Sequence, residues 1–583
     1  MTEMPARTAA AHNAAERVVV VGFGPVAARL LEELEPALDA GLLHVTVIGE
    51  EPAAAYNRVL VADVAVGRTT AEAISLADPQ ELRARGVDVR LGVRVRRVDR
   101  ARRLLRLDDG GTLEYDRLVL ATGSRPVVPN LLGLNADPSA AQSLPAGGSL
   151  FPAGVTALRD LRDAAVLRSA VAQRRRVVVL GGGILGLETA LAAADEGTAV
   201  TVVHHGPHPL GRSIDAPGGA VLAAALRRSG IRLASNARST AVELAGPDGG
   251  FTALLLEDGS AVDGDLLVLS CGVRPRTELA RGAGLATAAG ILVDHRLQAH
   301  HDERVYAIGD CAEIRCLDAR CLACRHSSGP HGLIGPGWRQ AEWLAGQLAE
   351  LAAGPVPAAK AVLPGNFVLA GNAALAANSM LAGSAVRKPP EPMPVREPLP
   401  AEEPPVILLK ARGIDLAAAG NAGADPWDEE LLQAGSAPGR PRLQVALWAD
   451  PEHGRYVKMC TRDGVLEGLV CIGMPRTAAE LVLLFERGAE LPADRSGLLR
   501  LDGPERLLAS SGPSAGAAGV AADPEHMVCR CAGVSRDRIQ TAVGEGCGTV
   551  AEVSGSTRAG TGCGGCHDSI RELIERHFQP VAG

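Results

Sequence analysis

Four cysteines near the end of this 583-residue chain have the spacing of a metal centre. Cys529 and Cys531 form a C-x-C pair, and Cys563 and Cys566 form a C-x-x-C pair after a gap of 31 residues. Four thiolates in two close pairs can hold a tetrahedral zinc ion or an iron–sulfur cluster. Glycines beside the second pair permit a tight turn whose N–H groups point at the sulfurs and stabilise their negative charge.

The sequence around these cysteines narrows the choice of metal. The segments VCRCAGVS and AGTGCGGC resemble the bacterioferritin-associated-ferredoxin-like [2Fe–2S] domain. In that family the four cysteines bind iron, so the resemblance implies that Cys529, Cys531, Cys563 and Cys566 are the cluster ligands. A structural zinc site and four unrelated thiols remain the alternatives.

A short amphipathic helix is predicted directly after the last cysteine, from Asp568 to Phe578. Four apolar residues are expected on one of its faces: Ile570, Leu573, Ile574 and Phe578. Its positive N-terminal end would lie beside the anionic metal centre.

The N-terminal segment carries a glycine motif typical of dinucleotide binding. Residues 17–34 have the pattern of a strand, a glycine turn and a helix, with Gly22, Gly24 and Ala27 forming G-x-G-x-x-A. A second strand, Val45 to Ile48, precedes Glu50, an acid placed to bond a ribose hydroxyl. These features together predict a bound dinucleotide.

A second copy of the motif lies at residues 176–203. Gly181, Gly183 and Gly186 form G-x-G-x-x-G, and Glu188 follows in the predicted helix. The next strand ends at His204-His205. An acid there would select NADH and an arginine NADPH, so this position does not choose between the two.

Two further segments identify the class of fold. Ala121-Thr122-Gly123 resembles a loop that closes the flavin domain, and Gly309-Asp310 resembles a late GD motif. With the two glycine motifs, they resemble the α/β two-dinucleotide flavoprotein reductases of the glutathione-reductase-like class. The resemblance implies that the first motif, Ala121, Thr122, Gly123 and Asp310 hold FAD, and that the second holds NAD(P)H, with NADH favoured.

A Tyr-Asn-Arg segment follows the second strand. Asn57 and Arg58 match a pattern found near the flavin in the nitrite-reductase-like branch of this class, which implies a role in FAD binding. The local alternatives are that Asn57 only caps the next helix and that Arg58 only pairs with a phosphate.

The remaining cysteines exclude one reaction and raise one question. None precedes Cys271, so no dithiol can take electrons from the flavin, and disulfide reduction is excluded. Cys316, Cys321 and Cys324 have the spacing of three plant-type ferredoxin ligands without an obvious fourth, Cys311 and His326 being only candidates. The favoured interpretation is a surface insertion whose thiols bind nothing, and a second metal site is the alternative.

The motifs and the composition divide the chain into seven parts. The small α+β domain among them resembles the C-terminal domain of NADH–rubredoxin and nitrite-reductase-type flavoproteins. The predicted parts are a disordered tail (1–15), an FAD domain (16–135 with 285–350), an NAD(P)H domain (150–284), a proline-rich linker (386–405), the small α+β domain (406–508), a second linker (509–523) and a small helical [2Fe–2S] domain (524–583).

Composition argues against two kinds of partner. The net charge is −8 with no long basic block, which argues against nucleic acid. No stretch approaches the 18 uncharged apolar residues of a membrane span, and the N-terminus does not resemble a signal peptide. A cytoplasmic location is therefore expected.

The order of the motifs predicts an electron path. A flavin is needed between NADH, which gives two electrons, and a cluster, which takes one. The path NADH to FAD to [2Fe–2S] to a partner protein resembles the electron-transfer subunits of assimilatory nitrate reductases and the N-terminal part of nitrite reductase large subunits.

The cysteine spacings favour one acceptor. The C-x5-C and C-x3-C spacings of a sirohaem centre are absent from this sequence, so it is not expected to reduce nitrite itself. A molybdenum nitrate reductase catalytic subunit is the favoured acceptor. The alternatives are a ferredoxin, a rubredoxin or an oxygenase, or a role in iron release from bacterioferritin.

Overall fold

The computed structural model describes most of the reductase-like part and the two C-terminal domains. The described residues are 15–134, 151–246, 249–318, 321, 329–330, 332–354, 399, 406–411, 413–425, 427, 443–492, 494–499, 502, 527–529, 534–557, 559–560 and 566–578. The predicted tail (except residue 15), the proline-rich linker (except Leu399) and the second linker lie outside these ranges.

The first segment alternates strands and helices. Its elements are β1 (Glu16–Val21), α1 (Pro25–Glu33), α2 (Glu35–Asp39), β2 (Leu43–Gly49), α3 (Val61–Ala65), α4 (Pro79–Ala84), β3 (Asp88–Leu91), β4 (Val95–Asp99), β5 (Leu104–Leu107), β6 (Thr112–Glu114), β7 (Arg117–Leu120) and β8 (Ser124–Pro126). The valine run of β1 is buried, because a central parallel strand is covered on both faces.

The second segment builds another parallel sheet. Its elements are β9 (Val155–Ala157), α5 (Leu161–Ala172), β10 (Val177–Leu180), α6 (Ile184–Asp195), β11 (Val200–Val203), α7 (Ala216–Arg228), β12 (Arg232–Ala234), β13 (Ser239–Leu244), β14 (Phe251–Leu256), β15 (Ala261–Asp263), β16 (Leu266–Leu269), β17 (Val273–Pro275) and α8 (Glu278–Gly282). The strand order is β12-β11-β10-β16-β9, so the glycine motif after β10 lies at the centre of the sheet.

The third segment returns to the first sheet. Its elements are β18 (Ile291–Val293), β19 (Gln298–Ala299), β20 (Asp302–Ala307), β21 (Ala312–Ile314) and α9 (Ile334–Ala353). The completed sheet has the order β21-β18-β19-β20-β7-β1-β2-β3. Helix α9 packs against α1, where Arg29 pairs with Glu342 at 2.7 Å. The first domain is therefore assembled from two separate stretches of chain.

The segment after the proline-rich stretch forms an antiparallel sheet with a helix. Its elements are β22 (Val406–Ala411), β23 (Ile414–Gly420), β24 (Leu443–Asp450), β25 (Arg455–Arg462), β26 (Val465–Ile472), α10 (Pro475–Glu486) and α11 (Ser496–Leu499). Asp463 and Gly464 both have positive φ, as a tight turn between β25 and β26 requires. Cys460 and Cys471 are fully buried in the core of this domain.

A buried ion pair joins this domain to the second parallel sheet. Lys458 on β25 is only 2% exposed, and its Nζ lies 2.8 Å from Oδ2 of Asp215. The hydroxyl of Tyr456 donates to the same oxygen at 2.6 Å. Asp215 also caps α7 by accepting from the Gly218 N–H. One carboxylate therefore fixes the start of a helix and the contact between two domains.

Replacing Lys458 with methionine is expected to destabilise the protein by about 3 kcal/mol, because Asp215 would keep its buried charge without its cation. The shift of the thermal unfolding transition of the full chain measures this effect. Arg462→Met is the control, because Arg462 pairs with a carboxylate that is 42% exposed and should cost about 1 kcal/mol or less. Equal shifts for both variants would contradict the prediction.

The C-terminal domain is small and helical. Its elements are β27 (Met527–Cys529), β28 (Val534–Ser535), α12 (Arg536–Gly544), α13 (Val550–Thr557) and α14 (His567–Phe578). Three of the four residues expected on the apolar face of the last helix, Ile570, Leu573 and Ile574, are buried. Phe578, the fourth residue expected on this face, is the last residue of the helix and is 56% exposed.

Among the described residues, no helix combines the length and the apolar character that a bilayer crossing needs.

Candidate functional site

A deep cleft of about 1870 Å³ runs between the two parallel sheets. Gly22 and Gly24 line it from the first sheet, and Ile184 and Glu188 line it from the second. Its volume exceeds the roughly 300–1,000 Å³ of common ligand pockets, so it has room for two dinucleotides. The first glycine motif and the start of the helix that follows the second motif therefore line one cavity.

The first glycine motif leaves an open helix N-terminus on this cleft. Gly22 has φ +104°, and a Cβ there would lie 2.2 Å from the Ala121 carbonyl oxygen, so only glycine fits. Gly24 caps α1 without a side-chain hydrogen bond, and a Cβ there would meet no protein atom within 4 Å. An uncapped helix start facing empty space suits a pyrophosphate. Ala27, the third motif residue, is buried within α1.

The second motif repeats this arrangement. Gly181 has φ +126°, and a Cβ there would lie 2.1 Å from the Ser270 carbonyl oxygen. Gly183 caps α6 without a side-chain hydrogen bond and has open space around its Cβ position. At Gly186 a Cβ would lie 2.4 Å from the Gly181 oxygen, so this glycine lets the helix pack close to the turn. The second site therefore has the same physical design as the first.

Asp310 is held at the wall of the cleft by two donors. Its Oδ2 accepts from the Ser124 hydroxyl at 2.7 Å and from the Arg159 guanidinium at 3.0 Å. Burial is the main cause that lowers the pKa of Arg159, and the nearby Asp310 opposes it. The backbone N–H of Arg159 donates to Asp163, whose pKa burial raises to about 6.

Sequence reasoning missed Ser124 as a partner of Asp310 and missed Arg159 altogether. Arg159 stands just before Asp160, the cap of α5, in a different chain segment. The cap could have been recognised from the sequence, but nothing in it pointed to the flavin domain.

The Tyr-Asn-Arg segment forms a local polar cluster beside the cleft. Buried Asn57 accepts from the Val59 N–H at 3.0 Å, which is the capping role that the sequence left open. Arg58 lines the cleft, pairs with Glu51 and lies over the Tyr56 ring, with 4.9 Å from its guanidinium carbon to the ring centroid. Burial alone would raise the pKa of Glu51, but Arg58 lowers it. FAD contacts of Asn57 and Arg58 stay a prediction.

The acid after β2 and the two histidines after β11 have different contacts and exposure. Glu50 lines the cleft and pairs with Arg94 and Arg276, so its ribose contact stays a prediction. His204 is buried and shares a 3.0 Å hydrogen bond with Ser235. His205 is exposed. The second site therefore presents neither an acid nor an arginine at this position.

The C-terminal domain brings two of the four predicted cluster ligands into one core. Cys529 and Cys566 are both buried, and the Gly560 N–H donates to the Cys529 sulfur at 3.3 Å. Cys566 immediately precedes α14, and its carbonyl accepts from the Ile570 N–H. The positive start of a helix stabilises the thiolate of Cys566, and the Gly560 N–H stabilises the thiolate of Cys529. The two thiols therefore fit an iron–sulfur cluster, whose ligands are thiolates. Cys531 and Cys563 lie outside the described residues.

Two family models match these two sites. The family described as pyridine nucleotide-disulphide oxidoreductase matches residues 16–331, more than half of the chain. The chain belongs to this family. A BFD-like [2Fe-2S] binding domain matches residues 527–576. The reductase therefore uses FAD, NAD(P)H and a [2Fe–2S] cluster.

Curated relatives extend the similarity to nearly the whole reductase. It is 26% identical to the nitrite reductase (NADH) large subunit of Escherichia coli over 96% of this chain and 55% of that protein. It is 25% identical to the assimilatory nitrate reductase electron transfer subunit of Bacillus subtilis over 96% of this chain and 59% of that protein. The chain thus spans only about half of the length of these relatives.

Two shorter matches cover the flavoprotein part. The biphenyl dioxygenase system ferredoxin–NAD(+) reductase component of Paraburkholderia xenovorans is 33% identical over 51% of this chain and 67% of its own length. Among solved structures, the covalent putidaredoxin reductase–putidaredoxin complex matches with a TM-score of 0.61 and 21% identity, covering 84% of this chain and 98% of that one. The latter likeness shows the shared fold.

Proposed function

We propose that this reductase is an electron-transfer subunit that delivers electrons from NADH to a separate molybdenum nitrate reductase. The observation that carries the proposal is the combination of a flavoprotein cleft and a buried-thiol cluster domain in one chain. The Bacillus subtilis electron transfer subunit matches across both parts, whereas the biphenyl reductase component matches only 51% of the chain.

The side chains divide the work between binding and orientation. The open starts of α1 and α6 bind the two pyrophosphates through backbone N–H groups. Asp310, fixed by Ser124 and Arg159, is a preorganised acceptor at the wall of the cleft. When bound, FAD accepts two electrons from NADH and releases them singly.

The C-terminal domain provides the outlet for single electrons. Cys529, Cys531, Cys563 and Cys566 are proposed to hold the cluster, and the aliphatic core around the first and the last keeps water from the sulfurs. We also propose a cytoplasmic location, because NADH and thiol ligands require a reducing compartment.

A ferredoxin, a rubredoxin or an oxygenase is the second candidate acceptor. The 33% identity with a dioxygenase-system reductase component favours it for the flavoprotein half. If so, the presence of the cluster domain would not show whether the acceptor is a nitrate reductase or a small redox protein.

A reconstituted assay decides between the acceptors. The purified reductase with NADH and a molybdenum nitrate reductase is expected to form nitrite at least about tenfold faster than the nitrate reductase with NADH alone. Dithionite-reduced viologen, which feeds the nitrate reductase directly, is the control for its activity. Fast reduction of a ferredoxin or rubredoxin without nitrite formation would reject the proposed acceptor.

A further inference from the structure

Two neighbouring strands of the first sheet end with metal-ligating side chains. β18 and β21 are parallel, with Val293 opposite Ile314, and the Arg315 N–H extends this pairing to the Val293 oxygen at 2.8 Å. His295 and Cys316 each follow two residues after this last pair. The register of the sheet thus brings together two ligands that are 21 positions apart in the sequence.

A third ligand reaches the same place from the loop after β21. The Cys321 N–H donates to the Asp318 oxygen, and the Cys321 sulfur lies 3.3 Å from Nε2 of His295. The ligand atoms of His295, Cys316 and Cys321 all lie within 4.8 Å of one another. Zinc bonds of roughly 2.0–2.3 Å place tetrahedral ligands roughly 3.3–3.8 Å apart, so only a small contraction is needed.

The histidine is held in place by its own turn. The Asp294 side chain accepts from the backbone N–H groups of Arg296 and Gln298, at 2.8 and 3.0 Å. The His295 carbonyl also accepts from the Leu399 N–H at 2.9 Å. All three ligand side chains are half-buried, so a metal there would be shielded and still able to enter. The site is therefore preorganised on its histidine side.

We propose that His295, Cys316 and Cys321 bind a zinc ion that ties the loop after β21 to the end of β18. Two sulfurs and one imidazole suit zinc, whereas calcium and magnesium require oxygen ligands. Three protein ligands leave one tetrahedral position open. The sequence favoured an inert insertion because the spacing of Cys316, Cys321 and Cys324 showed no further ligand. Cys324 and His326 lie outside the described residues. His295 is the third ligand, and the spacing of the cysteines could not reveal it because it lies on another strand end.

Metal analysis of the full-length holoprotein tests this site. One zinc per chain is expected in addition to the iron of the cluster. His295→Ala and Cys316→Ser should each lower the zinc at least about fivefold while FAD and iron stay unchanged. Cys271→Ser is the thiol control, because Cys271 is a half-buried free cysteine of the second sheet domain. This variant should contain as much zinc as the unaltered protein.

Two further measurements keep the proposal falsifiable if a variant folds poorly. Zinc-edge X-ray absorption of the unaltered protein should show two sulfurs near roughly 2.3 Å and one nitrogen near roughly 2.0 Å. Cys566→Ser should lose iron and keep zinc. Zinc lost only in Cys566→Ser, no zinc after growth with added zinc, or a Cys316–Cys321 disulfide in anaerobically purified protein would each overturn the proposal.

Discussion

Replacing Cys566 with serine is expected to abolish electron transfer to a protein acceptor, while NADH-dependent ferricyanide reduction stays within about twofold. Serine is a poor ligand for iron, and Cys566 is a buried thiol at the start of α14. Ferricyanide can take electrons from the flavin directly, and the cleft proposed to bind FAD is built from other domains. Only the last transfer should therefore be lost.

The control and the readouts separate this result from misfolding. Cys547→Ser removes a half-buried thiol of the same domain that is not a predicted ligand, and it should keep both iron and acceptor reduction. Deleting residues 523–583 should reproduce the Cys566→Ser pattern. Equal loss of both activities in Cys566→Ser would show that the cluster is not the outlet, and zinc in place of iron in the unaltered domain would reject the cluster itself.

The sequence predicted the dinucleotide motifs well because their physics is local. Gly22 and Gly181 need a positive φ and a close backbone approach, and both requirements select glycine at that position, which the sequence shows directly. Buried parallel strands such as β1 and β10 are equally visible in the sequence as uninterrupted apolar runs. The two-sheet architecture follows from these glycines and apolar runs together with the family resemblance.

Contacts between distant segments could not be predicted in the same way. Arg159 reaches Asp310 across 151 positions, and Lys458 reaches Asp215 across 243. His295 meets Cys321 only because two strands of one sheet run in parallel register. None of these pairs has a sequence pattern, because a hydrogen bond requires proximity and not spacing. The exposed Phe578 shows a second limit of sequence patterns. Helical periodicity places a residue on a face of the helix, but it does not show whether another element covers that face.

Replacing Gly183 with alanine is expected to raise the KM for NADH at least about tenfold without loss of FAD. Gly183 has φ −82° and ψ 175°, which alanine adopts freely, and the added Cβ would meet no protein atom. Folding should therefore be unaffected. The methyl group would instead occupy the space before α6, where backbone N–H groups must approach the pyrophosphate.

Two other glycines make this variant interpretable. Gly497→Ala is the matched control, because its Cβ also meets no protein atom and it lies on α11 of the small α+β domain, away from the start of α6, so KM should not change. Gly181→Ala should instead destabilise the domain, because its Cβ would lie 2.1 Å from the Ser270 oxygen at a positive φ. Steady-state kinetics and thermal unfolding of the three variants distinguish binding from folding. An unchanged KM in Gly183→Ala would mean that the nucleotide does not sit at the start of α6.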